Sequence, residues 1–262
     1  MRMTPSAIRV AVAGARGKMG TIAIAALNTA ADMSYVGGLV RSDPNAERSE
    51  FGDLDQLLTS ARPEVVVDFT HFPDSKKIAL ACIASGVRPV IGTSGYVSDD
   101  VEDLRAACER ETIGCVFVPN FGVGAVLMMK YAADAARHYD AVEIIEMHEA
   151  GKKDAPSGTS TATARRLAAA RSAASGGPFK RPKTALMKVE GARGAEMDGI
   201  GIHSLRLPGV VTHQEVLFGG DGETLRITHD STSRTSFMPG MFVAIRAARD
   251  LTTFVDGLES LL

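Results

Sequence analysis

The chain lacks the features that would place it in an oxidising compartment or in a membrane. It has only three cysteines, Cys82, Cys108 and Cys115, an odd number with neither a CxxC pair nor metal-ligand spacing. No disulfide framework is expected, and the three read as small buried hydrophobes in a reducing cytoplasm. No apolar run approaches the roughly 18 residues needed to cross a bilayer. The opening stretch, MRMTPSAIRVAVAG, shows no signal-peptide pattern, because its apolar residues run directly into a glycine turn. These absences set the expectation of a cytoplasmic protein with no membrane partner. Charge of one sign is also missing: 29 Lys and Arg stand against 31 Asp and Glu, a formal net charge of −2. That balance argues against nucleic acid as a partner. No internal repeat interrupts the 262 residues, a length that allows one large or two modest domains.

What is present is an alternation of short apolar runs and amphipathic segments. Strands are predicted at Ile8–Ala13, Tyr35–Val40, Val65–Phe69, Pro89–Ile91 and Cys115–Val118. Helices are predicted over 19–30, Ser75–Ser85 and Asp99–Arg110. Continuous apolar strands followed by helices are the pattern of a Rossmann-like, doubly wound parallel sheet. After Asn120 the pattern changes. A helix is predicted over Val123–Arg137, a strand over Ala141–Met147, and an Ala- and Arg-rich helix after Thr159 that ends near Gly176-Gly177-Pro178. The segments IHSLRL, VTHQEVLFG and ETLRITH, divided by glycine turns, predict antiparallel strands, and Pro239–Leu262 predicts closing helical structure. The fold class expected is therefore α/β, with a second α+β domain carrying an open, mostly antiparallel sheet.

The first strand runs into Gly14-Ala15-Arg16-Gly17-Lys18-Met19-Gly20. Glycines at a strand–helix turn let the backbone approach a diphosphate at the helix N-terminus. The spacing is GxxGxxG, so an ordinary glycine-rich turn is the competing reading. At the end of the second strand an acidic residue would hold a ribose hydroxyl and a basic one a 2′-phosphate. Val40 is not acidic and Arg41 is basic. NADPH is the expected cofactor, and nearby Asp43 keeps NADH open.

The most informative run is EMHEAGKKDAPSGT, from Glu146 to Thr159. It joins His148, able to exchange a proton near neutral pH, to the cation Lys152 and to Ser157-Gly158-Thr159 at a helix start that offers backbone N–H groups to an anion. Together they predict a site for a small carboxylate. His203, His213 and His229 sit in strand patterns with no ligand spacing, so no metal site is expected.

This run resembles the signature of the 4-hydroxy-tetrahydrodipicolinate reductase (dihydrodipicolinate reductase) family, E-x-H-H-x-x-K-x-D-A-P-S-G-T. It departs from it at one position, where Glu149 replaces the second histidine. The GxxGxxG turn ending in Lys18-Met19-Gly20 resembles the family fingerprint. Asp68-Phe69-Thr70, Gly92-Thr93-Ser94-Gly95-Tyr96 and Val118-Pro119-Asn120-Phe121 resemble the stretches that line its nicotinamide pocket. Ser231-Thr232-Ser233-Arg234 and Phe237 resemble its closing segment.

The resemblance implies a dinucleotide-binding domain over 1–120 and 231–262, and a substrate-binding and oligomerisation domain over 121–230 that forms a homotetramer through its open sheet. It implies reduction of 4-hydroxy-tetrahydrodipicolinate to tetrahydrodipicolinate in lysine and diaminopimelate synthesis. The implied cofactor residues are Gly14 to Met19, Arg41, Phe69, Gly92, Thr93, Ser94, Val118, Pro119, Asn120 and Phe121. Lys152, Ser157, Gly158 and Thr159 would hold the dicarboxylate. His148 would donate the proton with Lys152 assisting, although the residues alone do not separate those two roles. Hinge closure is expected from a site shared by two domains. Glu149 is expected to turn away from the substrate and pair with Lys152 or Lys153. A dehydrogenase of another small carboxylate and a non-catalytic nucleotide sensor remain the alternatives.

Overall fold

In the computed structural model the described residues are 6–262. Residues 1–5, part of the stretch read as lacking a signal-peptide pattern, lie outside them. In chain order the elements begin with β1 (Ile8–Ala13), α1 (Lys18–Leu27), β2 (Met33–Leu39), β3 (Glu50–Phe51) and α2 (Leu54–Gln56), the last running on into a wider helical turn to Ala61. There follow β4 (Val65–Asp68), α3 (Asp74–Ala84), β5 (Arg88–Ile91), α4 (Ser98–Glu111), β6 (Cys115–Phe117) and α5 (Val123–Ala135). The remainder comprises β7 (Ala141–His148), α6 (Gly158–Ala173), β8 (Ala195–Met197), β9 (Ile200–Arg206), β10 (Thr212–Gly220), β11 (Glu223–Ser231), α7 (Met238–Asp250) and β12 (Phe254–Asp256).

The chain divides into two compact units. One comprises residues 1–122 and 237–262, the other 123–236. The first contains a seven-stranded sheet in the order β12-β6-β5-β4-β1-β2-β3, with every pairing parallel. Its central strands are apolar through their middles because helices cover both faces: Val10, Val12, Val65, Val66, Val67, Val90 and Ile91 are fully buried. The expected doubly wound sheet is borne out.

The end of this unit corrects one expectation. Helix α7 stops at Asp250, and Phe254–Asp256 forms β12, which pairs parallel with β6. The β-branched and aromatic run from Thr252 to Val255 favours a strand, and pairing on the open edge of β6 satisfies its backbone while burying Phe254.

The second unit is a five-stranded mixed sheet, β11-β10-β7-β9-β8, covered on one face by α5 and α6. Antiparallel pairing holds for β10 with β11 and β7, and for β8 with β9, but β9 runs parallel to β7. The sheet is mostly antiparallel, as expected, and its one parallel pair arises because α6 returns the chain to the same end of the sheet, as a crossover helix must. The apolar core of this unit joins Val142 and Ile144 of β7, Ile200 and Ile202 of β9, and Val216 and Phe218 of β10 to Ala132, Ala164 and Leu167 of the helices.

Candidate active site

The covered face of the second sheet changes character along its strands. Residues two apart share a face, so Val142, Ile144, Glu146 and His148 form one row on β7. Register aligns Glu146 with Gln214 and His148 with Thr212 on β10, and with Ser204 and Arg206 on β9. The core-facing positions are therefore apolar at one end and polar at the other.

Glu146 is fully buried. A buried carboxylate costs several kcal/mol unless it is paired, and this one is surrounded by donors. Arg206 reaches it with both terminal guanidinium nitrogens at 2.9 Å each, Ser157 donates its backbone N–H at 3.2 Å, and Nδ1 of His148 lies 2.5 Å away. Burial alone would raise the Glu146 pKa, but hydrogen bonds from Arg206, Ser204 and His148 outweigh it and leave the group below the ordinary carboxylate value. Glu146 is thus an anion and can only accept, so Nδ1 of His148 carries a hydrogen. The other ring nitrogen, Nε2, lies 3.0 Å from the Thr212 hydroxyl. Burial lowers the His148 pKa, against the opposing pull of Glu146. The resting ring is neutral, fixed in tautomer and oriented at both ends.

The signature loop follows. Lys152 Nζ pairs with Asp154 Oδ1 at 2.7 Å. Ser157 caps α6, accepting from the Ser160 backbone N–H at 3.2 Å, and its buried hydroxyl also meets Ser160 Oγ at 2.8 Å. Gly158 is exposed at the helix start, where an added Cβ would meet nothing within 4 Å. No acidic residue occupies the first turn of α6, although the Glu146 carboxylate reaches the N–H of its N-cap residue, Ser157. Behind the cap, Ser160 donates to Gln214 Oε1 (2.7 Å), and Gln214 Nε2 donates to Thr163 Oγ1 (2.8 Å). Glu149 does turn to a cation, but its partner is Arg234, at 2.8 Å, and not Lys152 or Lys153. Arg234 lies 85 residues further along, and the fold sets it closer than the neighbouring lysines, one of which Asp154 already holds.

In the first unit, Gly14 adopts φ +78°, and a Cβ there would lie 3.1 Å from the Phe69 backbone. A cavity of about 560 Å³ opens beside this turn. Gly14, Arg16, Gly17, Arg41 and Phe69 line it, joined by His71, Asp53 and Lys77. Helix α1 starts at Lys18 with Gly17 as an N-cap that has no side chain to satisfy it, and no acidic residue follows in its first turn. An uncapped helix start beside a cavity bordered by Arg16, Arg41 and Lys77 fits a dinucleotide phosphate. Arg16 is also tied to Glu50, while Arg41 is largely exposed, 3.7 Å from Asp74.

The strand ends are organised by a second buried carboxylate, Asp68. It accepts from the Thr70 N–H (3.0 Å), from the Thr70 hydroxyl (2.6 Å) and from Ser75, and it lies 3.1 Å from the Thr93 hydroxyl. Phe69 and Phe121 meet edge-on with centroids 5.9 Å apart, and an added Cβ on Gly92 would strike both rings. Phe69, Gly92, Thr93 and Phe121 are thus brought together. Ala15 and Val118 are buried, Met19 is half-buried, Lys18, Ser94 and Pro119 are exposed, and the Asn120 side chain accepts from the Gly122 N–H at 2.8 Å.

Several residues of these sites escaped the sequence reading. Arg206, Thr212 and Gln214 looked like ordinary strand positions. The available signal was that Thr212 and Gln214 share the parity of Val216 and Phe218, so polar groups occupy inward-facing places. Lys77 and Glu50 carried no local signal.

Comparison with known proteins identifies the family. The family described as dihydrodipicolinate reductase, N-terminus, matches residues 8–121, and its C-terminus counterpart matches residues 124–262. A 4-hydroxy-tetrahydrodipicolinate reductase of Halalkalibacterium halodurans is 43% identical over 266 residues, covering 97% of this chain and 99% of that protein. One from Mycolicibacterium smegmatis is 43% identical over 257 residues, with 97% and 99% covered. A dipicolinate-bound dihydrodipicolinate reductase from Paenisporosarcina superposes with a TM-score of 0.86 at 39% identity, covering 98% of this chain and all of that one. From its glycine turn to its last helix, the chain belongs to the dihydrodipicolinate reductase family.

Proposed function

We propose that the chain reduces 4-hydroxy-tetrahydrodipicolinate to tetrahydrodipicolinate, a step of lysine and diaminopimelate synthesis, using NADPH and accepting NADH. The observation that carries this reading is the buried Glu146 pairing with His148 and Arg206 beside Lys152 and the start of α6. The dipicolinate bound by the Paenisporosarcina relative is a planar dicarboxylate, close in shape and charge to the proposed substrate. Gly14 to Met19, Arg41, Phe69, Gly92, Thr93, Ser94 and Val118 to Phe121 would hold the nucleotide, whose reduced nicotinamide supplies the hydride when bound.

The work of the chain's own residues follows from their chemistry. Lys152 exchanges its bond to Asp154 for a substrate carboxylate, trading one anion for another at little electrostatic cost. The Gly158 and Thr159 backbone at the start of α6 orients that carboxylate, with Ser157 holding the helix start in shape. His148 supplies the proton that accompanies reduction, from an Nε2 that takes it up from water, with Lys152 assisting. Glu146 stabilises the charged ring while it holds that proton. The C4 hydroxyl would leave as water with a proton from the neighbouring carbon, and the proton from His148 replaces the one so lost as the hydride reaches C4. We further propose that the protein works in the cytoplasm as a homotetramer built through the open sheet of the second unit.

The test is oxidation of NADPH and of NADH by the full chain in the presence of 4-hydroxy-tetrahydrodipicolinate. Lys152→Ala should raise KM and lower kcat together, the loss exceeding about tenfold in kcat/KM, since a lost partner of a bound anion costs 2 kcal/mol or more on the usual scale. No nucleotide oxidation by the wild type would refute the reading and leave the nucleotide-sensor alternative.

A further inference from the structure

Arg16 stands at the tip of the glycine turn and lines the nucleotide cavity, yet its charge is already spent. Its Nε and one terminal nitrogen reach Glu50 at 3.1 and 2.5 Å. The remaining bonds go to the backbone carbonyls of Ser42 (3.2 Å) and Asp43 (2.7 Å), in the loop directly after Arg41. The guanidinium therefore spans from the first strand–helix turn to the place where a ribose 2′ substituent is read. Glu50 opens β3, beside Gly38 of β2, and its carboxylate is nearly covered, 6% exposed against 46% for Arg16. It also accepts from the Asn45 N–H at 2.9 Å. Hydrogen bonds from Arg16 and Asn45 hold the Glu50 pKa down at about 2, so the anion persists across the working pH range. Arg41 and Lys77 also line the cavity, and among the described residues they share the exposed Asp74, each at 3.7 Å.

We propose that Glu50 is a specificity-determining positioning residue. By cancelling the charge of Arg16 it weakens the cavity's pull on a 2′-phosphate, leaves that task to Arg41 and Lys77, and lets the chain accept nucleotides without the phosphate. The proposal rests on the reading of this cavity as the NAD(P)H site. A fixed anion behind Arg16 acts on the two nucleotides unequally, because only one carries the additional phosphate. It leaves the shared diphosphate, bound at the start of α1, as a common reference.

The experiment measures dissociation constants of NADPH and NADH by calorimetric titration for the wild type, Glu50→Gln, Glu50→Asp and Arg16→Gln. Glu50→Gln keeps an oxygen that can accept from Arg16 and Asn45 while removing the charge. The preference for NADPH over NADH should rise at least about fivefold, less at high salt, as expected for one unit charge several ångströms from a phosphate in a partly solvated site. Glu50→Asp keeps the charge and should hold the preference near that of the wild type. In an Arg16→Gln background the Glu50→Gln effect should vanish, because the charge it releases is gone. A general loosening of the β2–β3 loop would weaken both nucleotides and leave the ratio alone. An unchanged or reduced NADPH preference in Glu50→Gln would overturn the proposal. Failure of the wild type to bind either nucleotide would instead overturn the assignment of the cavity.

Discussion

Replacing Glu146 by glutamine tests whether the buried anion is what makes His148 a usable proton donor. The substitution preserves size and removes one negative charge from a fully buried position. Arg206 then loses the charge it pairs with and one of two 2.9 Å contacts, while keeping the Asp154 and Leu205 carbonyls at 2.6 and 2.7 Å. Breaking a buried pair from one side typically costs 3–5 kcal/mol, and the carbonyls retained by Arg206 put the expected loss near the lower end, about 3 kcal/mol in urea unfolding. The effect on His148 has a definite sign. Burial already lowers its pKa below 6.5, and Glu146 opposes that shift. Without the anion the pKa falls further, so the alkaline limb of kcat/KM, where a proton donor loses its proton, should move to lower pH. The turnover number near neutrality should drop about ten- to hundredfold, the scale of a misoriented general acid. The ring should also lose its preference for a hydrogen on Nδ1, visible in nitrogen NMR of the imidazole. In the wild type the neutral His148 contributes stability that is fully present above pH 6.5 and is lost as pH falls from there through its folded pKa, because the unfolded chain takes up the proton first. An alkaline limb that stays in place in Glu146→Gln, with full turnover, would refute the dyad.

Two further perturbations probe the charged rim. Arg41→Ala should weaken NADPH more than NADH by about 1.5 kcal/mol, the low end for a charge-assisted hydrogen bond at so exposed a side chain, and calorimetric titration showing equal losses would remove Arg41 from phosphate recognition. Glu149→Gln should change kcat/KM by less than about threefold, because an exposed pair with Arg234 is worth under about 1 kcal/mol. If dipicolinate bound more than about tenfold tighter to that variant, Glu149 would have been repelling the substrate carboxylate.

Features set by short-range pattern were legible in the amino-acid sequence. The run from Ile8 to Ala13 forms the strand it suggested, residue for residue, because a continuous apolar stretch ending in glycine suits a strand buried on both faces. The helices at Asp74–Ala84 and Ser98–Glu111 differ by one residue at each end from their expected bounds. The signature run carried His148, Lys152 and the helix start within one short stretch, so the chemistry they suggest was readable without a fold.

Only the tertiary structure decided who partners whom. Glu146 could be recognised in the signature, but its role depends on Arg206, which lies 60 residues away and reaches it because β9 runs parallel to β7. Glu149 turned to Arg234 and not to a nearby lysine, and Arg16 met Glu50 across 34 residues. The strand at Phe254–Asp256 exists because β6 offers it an open edge. Side-chain periodicity records which face of an element is buried, and it carries no information about which distant charge the burial brings within reach. A buried carboxylate must be paired to be stable, but the sequence names the carboxylate and only the fold names its partner.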